Sequence, residues 1–129
     1  MTLSSLLGLL ERNAMEQLRT EIAAPLKPFE RGLKERGRSC PITLSETGTP
    51  AVVREVHVAN LIKAYLSREL SPVELDYVAN ALDLSEDAEY ATESVREVVF
   101  ALATPEVNGQ LNADHLAGLL EELGRGAPA

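Results

Sequence analysis

The stretch Ser71-Pro72-Val73-Glu74-Leu75-Asp76-Tyr77-Val78-Ala79-Asn80-Ala81-Leu82 decides the fold class. Ser71 and Glu74 stand three apart, with a proline at the first helical position. A serine hydroxyl so placed accepts the Glu74 amide while the carboxylate reaches back to the serine amide, and two orphaned donors are satisfied. Behind this start, Val73, Tyr77, Val78, Ala81 and Leu82 recur at three- and four-residue spacing, which gathers them on one face of a helix.

Working outward, the same punctuation repeats. Thr92 is placed to cap a helix carrying Val95, Val98, Val99 and Leu102. Thr104-Pro105 interrupts it, Asn108-Gly109 reads as a turn, and Asn112 caps a last helix bearing Leu116, Leu119, Leu120 and Leu123, closed by Gly124. Toward the N-terminus, Thr2 caps a stripe of Leu3, Leu6, Leu7, Leu10, Ala14, Leu18 and Ile22 that reads as one helix. Pro25 and Pro28 are expected to end or bend it. A second helical stretch then carries Leu26, Phe29 and Leu33 and finishes near Gly37.

Residues 40 to 53 admit two readings. Ile42 and Leu44 alternate with Thr43, and Thr47-Gly48 precedes Ala51-Val52-Val53, which suits a small β-hairpin. Alternatively Thr49 caps a helix whose first residue is Pro50. From about Arg54 onward the pattern favours helix through Val56, Ala59, Ile62 and Leu66. The fold class expected is all-α, a compact bundle of five to six short helices, with the hairpin at about 40–53 left open. A single helical domain over 1–124 and a frayed tail over 125–129 complete the expected organisation.

Composition narrows the function. The chain has 129 residues, a net charge of −8 and 45% hydrophobic side chains, so it is long enough to bury a core without cross-links. The single cysteine, Cys40, excludes an internal disulfide framework and fits a reducing cytoplasmic setting. No apolar run approaches the ~20 residues that span a bilayer. A sequence pI near 4.7 leaves little charge for neutralising phosphates, so direct nucleic-acid binding is not expected.

Enzymatic chemistry lacks its parts. No glycine-rich phosphate loop occurs. The two histidines, His57 and His115, have no second His or Cys near them in sequence, and both read as surface residues rather than metal ligands. Cys40 reads as a small half-buried apolar residue. The run Asp83-Leu84-Ser85-Glu86-Asp87-Ala88-Glu89 spaces oxygen side chains like the start of a calcium loop. It then has Ala88 where glycine makes the turn and Ser94 where a glutamate should close the shell. The expectation is no metal, no cofactor and no enzyme.

Charge is distributed unevenly. Basic side chains gather at Lys27, Arg31, Lys34, Arg36 and Arg38, whereas Glu74 to Glu97 holds eight acids against Arg96 alone. Such a field can steer a basic partner. Asp76, Tyr77, Asp83, Glu86, Asp87, Glu89, Tyr90 and Glu93 are therefore the candidate protein-binding residues, acids beside tyrosines that supply rigid contact area. By analogy of size, charge and helical character with bacterial immunity proteins, the expected function is that of an immunity-protein or antitoxin-type inhibitor of a basic toxin or nuclease. The alternative is a helical adaptor or regulatory module that homodimerises through a seam of Leu3, Leu7 and Leu10.

Overall fold

In a computed structural model of the chain, residues 2–34, 50–103 and 113–126 are described. They form six helices and two short strands: α1 (Leu3–Glu11), α2 (Met15–Lys34), β1 (Ala51–Val53), α3 (Glu55–Leu66), α4 (Pro72–Leu84), β2 (Ala88–Tyr90), α5 (Glu93–Ala103) and α6 (Ala113–Gly126). The all-α expectation holds. Cys40, Ile42, Leu44, Thr49, Gly37, the 104–112 turn with Asn112, and residues 127–129 lie outside the described residues, as do the side chains of Phe29, Arg31, Leu33, Lys34, Arg36 and Arg38.

Helix starts follow the caps. The Thr2 hydroxyl accepts the Ser5 amide at 3.2 Å, Ser71 accepts that of Glu74 at 3.2 Å, and Thr92 accepts that of Val95 at 3.2 Å. Helix ends were harder to anticipate. The leucine stripe is two helices rather than one, because Asn13 adopts a left-handed φ of 55°. The Asn13 amide then reaches Leu10 O (3.1 Å) and the Ala14 amide reaches Leu9 O (2.9 Å), the double reversal that terminates helices. Asn60 on α3 donates to the same Leu10 carbonyl at 2.8 Å, so the break is tied to the next layer of the fold. An equivalent reversal closes α3, with Arg68 at φ 67° and the Glu69 amide on Ala64 O at 2.8 Å.

Two further expectations are corrected. The helix α2 runs unbroken through Pro25 and Pro28, which forfeit two backbone donors without ending it. At the other end of the chain α6 continues past Gly124 to Gly126, so Arg125 and Gly126 are helical rather than tail.

Residues 51–53 are a strand rather than the first turn of a helix, and the other half of the hairpin considered for 40–53 lies outside the described residues. The strand pairs in parallel with β2, in the register Ala51 with Ala88, Val52 with Glu89 and Val53 with Tyr90. Parallel strands require a crossover, and α3 and α4 supply it. Arg54 rather than Thr49 caps α3. Nothing local to 51–53 points to this partner, which lies more than thirty residues downstream.

The core gathers one face from every helix. Leu6, Leu10, Leu18, Ile22, Leu61, Ile62, Leu75, Tyr77, Leu82, Leu102 and Leu116 are its largest fully buried side chains. Among the described elements, the most extensive helix contact joins α4 to α5.

Candidate functional site

The acidic segment divides once it is folded. Glu74 faces inward: it is 6% exposed, its Oε1 accepts the Ser71 amide at 2.8 Å and its Oε2 accepts Arg19 Nε at 3.0 Å. Burial acts to raise its pKa, but the Ser71 amide, the Arg19 guanidinium and the Ser71 hydroxyl together hold it below the usual 4.5. Its charge therefore joins α2 to the start of α4 and is not offered to a partner. Asp76 is half-buried and takes the Asn80 amide group at 2.8 Å.

Two of the predicted contact residues are internal. Tyr77 is 1% exposed and packs in the core, because its four-residue spacing from both Val73 and Ala81 puts it on the buried face of α4. It cannot serve as an exposed aromatic contact. Asp87 is 8% exposed; its amide donates to Ser85 Oγ (3.3 Å) and its carbonyl accepts from Ala51 (2.9 Å).

Tyr90 and Asp83 are intermediate. As a strand residue in register with buried Val53, Tyr90 turns inward, and its hydroxyl donates to Leu82 O at 3.0 Å in the last turn of α4. Burial pushes its pKa up, nearby Asp83 pushes it further, and Arg96 opposes both. Burial also raises the pKa of Asp83, again against Arg96. These groups brace the junction of α4, β2 and α5.

What remains on the surface is Glu86, Glu89, Glu93 and Glu97, all exposed, with Arg96 the one exposed cation between Leu84 and Ala103. On α5, Glu93, Arg96, Glu97 and Phe100 share the outward face at helical spacing. Glu89 stands beside Val52 on the outer face of the strand pair. Three apolar side chains accompany the acids: Leu84, Phe100 and Val52 are 62%, 49% and 45% exposed. Acids interspersed with exposed apolar groups form a surface suited to a protein partner.

The predicted oligomer seam is not on the surface. Leu3, Leu7 and Leu10 are 2%, 6% and 0% exposed, packed in the monomer's own core. The homodimer reading thereby loses its sequence support.

Chemistry elsewhere is sparse. Among the described residues, no group of three or more His, Cys, Asp or Glu side chains is placed to hold a metal ion. Ala88, where a calcium loop needs its glycine, lies in β2. His57 is a correction: it is buried at 2% exposure, and its Nδ1 accepts the Arg54 amide at 2.9 Å, capping α3. Its Nε2 lies 4.0 Å from Glu11 Oε2, and the Arg54 guanidinium reaches Glu11 Oε1 at 3.0 Å, so the three groups tie α1 to α3. Sequence spacing alone could not show that α1 would cover this side of α3. Three surface concavities, the largest about 940 Å³, all include Arg19 and lie along α2 and the α3–α4 turn, away from the acidic surface.

Among the described residues, no helix is long and apolar enough to cross a membrane. No protein-family model matches the chain, and neither the curated proteins nor the solved structures give a match.

Proposed function

We propose that this chain is a non-enzymatic binding protein, an inhibitor of the immunity-protein or antitoxin type that covers a basic surface of a toxin or nuclease. The observation that carries the reading is the exposed set Glu86, Glu89, Glu93 and Glu97 on one continuous stretch of chain, with Leu84 and Phe100 exposed at its two ends. Acids on such a rim steer a cationic partner into contact and set its orientation, while the apolar side chains supply the area that excludes water. Tyr77 and Asp87 have no part in it, and Asp83 and Tyr90 act from beneath as supports.

The test is a paired capture from the native host, using the wild-type chain and the variant carrying Glu86→Lys, Glu89→Lys and Glu93→Lys. All three positions are exposed, so the variant should keep the wild-type circular dichroism. A stoichiometric basic protein held by the wild type, released as salt rises and absent from the variant supports the reading, and inhibition of that protein's activity completes it. A partner retained equally by both chains, or held independently of salt, rejects it.

A further inference from the structure

Among the described residues, the outer edge of β2 keeps most of its backbone groups out of the ladder. Ala51 donates to Asp87 O and Ala91 donates to Val53 O, both at 2.9 Å. In a parallel ladder the residues that face the partner strand alternate. Asp87, Glu89 and Ala91 therefore turn their backbone groups toward β1, and Ala88 and Tyr90 turn theirs away. The Ala88 amide is taken by Ser85 O at 3.3 Å. Among the described residues, the Ala88 carbonyl, the Tyr90 amide and the Tyr90 carbonyl have no backbone partner outside the ladder. Among the described elements, α5, which follows β2 in sequence, is the one besides β1 in substantial contact with it.

An unpaired edge is a template for one more strand. Which strand is decided by charge. Glu86 precedes β2, Glu89 occupies its middle and Glu93 follows it, all exposed. A second copy of this chain would set Glu89 and its neighbours against the same acids, which opposes self-pairing. A strand with lysine or arginine at alternate positions would meet them favourably.

We propose that β2 is a docking edge, and that an extended basic segment of the partner adds to it as a third strand, bonded through the Tyr90 amide and the Ala88 and Tyr90 carbonyls. This rests on the binding reading above and adds its geometry. The bonds to backbone supply affinity that is indifferent to sequence, and Glu89 on the outer face selects alternate cationic side chains. The inward-turned Tyr90, its hydroxyl bonded to Leu82 O, ties the strand to the end of α4.

The experiment is residue-resolved amide exchange on the whole chain with two capped peptides of equal charge. One alternates lysine with valine, and the other alternates lysine with proline, which removes half of its backbone donors. The Tyr90 amide should exchange freely in the unliganded protein and slow by about tenfold or more with the lysine–valine peptide. The lysine–proline peptide should leave it unchanged, and Glu89→Lys should abolish the protection. Three results overturn the proposal: a Tyr90 amide already protected without peptide, no protection by the lysine–valine peptide, or equal effects of the two peptides. Equal, salt-sensitive binding of both would remove the edge while leaving the acidic-surface reading intact, whereas that reading fails on the charge-reversal capture.

Discussion

Glu74→Ala should be among the most costly polar substitutions in the molecule. One carboxylate oxygen accepts the Ser71 amide at 2.8 Å and the other accepts Arg19 Nε at 3.0 Å, with the carboxylate side chain 8% exposed and the arginine 57%. Losing the capping interaction costs about 1 kcal/mol. The ion pair adds about 0.5–1 kcal/mol, a value kept low because the guanidinium is largely in water. The sum is about 2 kcal/mol, equivalent to a fall in melting temperature of roughly 6–10 °C for a chain of this length. Glu74→Gln keeps an acceptor for the Ser71 amide and should lose about half as much. The pH dependence identifies the charge. Because the folded pKa is depressed below 4.5, the carboxylate's contribution is complete above that value and disappears as pH falls through the folded one. The gap between wild type and Glu74→Gln, measured by urea unfolding, should therefore be constant above pH 4.5 and close below it. A Glu74→Ala variant within about 0.5 kcal/mol of wild type, or a gap that persists in acid, would refute the reasoning.

Three more perturbations probe other joints. His57 has its pKa lowered by burial and by Arg54, against Glu11, so its stabilising form is neutral. Stability tied to it is complete above 6.5 and lost as pH falls through the folded value, and nitrogen NMR should find the proton on Nε2 at neutral pH; an Nδ1-protonated ring there would contradict the cap. Arg68→Gly should raise stability by about 0.5–1 kcal/mol in thermal unfolding, since φ 67° suits glycine, and destabilisation would show that the arginine side chain outweighs the backbone. Leu10→Ala, at a position with no exposure, should cost about 2–5 kcal/mol by denaturant titration with no change in sedimentation; a dimer that dissociates instead would restore the seam.

Legibility in the sequence tracked the range of the interaction. Thr2, Ser71 and Thr92 bond within three residues of themselves, so their caps could be read directly. Asn13 is equally local but was hidden by its surroundings. The apolar stripe kept its spacing across the break because α1 and α2 both pack on the same core, and periodicity reports burial rather than chain direction. Pro25 and Pro28 show the reverse case, strong local breakers inside a helix of 20 residues, where tertiary packing offsets two missing donors. The pairing of Val53 with Tyr90 had no local trace at all.

The same distinction governs the site. Counting acids located a real excess between Glu74 and Glu97, but a count assigns the same meaning to Glu74, which holds two helices together, and to Glu86, which faces water. The capping spacing to Ser71 already set Glu74 apart, and the position of Arg19, fifty-five residues earlier, ties it to a second helix. Tyr77 and Tyr90 were grouped as exposed aromatics, yet each is drawn inward by its element's period, one by the face of a helix and the other by alternation along a strand. What survives is smaller than the sequence suggested and sharper in shape: four glutamates lying before, along and after a strand whose outer edge has no strand partner among the described residues. An acidic coat on such an edge prevents two copies from pairing through it, and that same charge admits a basic strand. On the docking proposal, protection from self-association and selection of a cationic partner would be two consequences of one arrangement, and the exchange behaviour of a single amide, that of Tyr90, distinguishes an edge that is only guarded from one that is used.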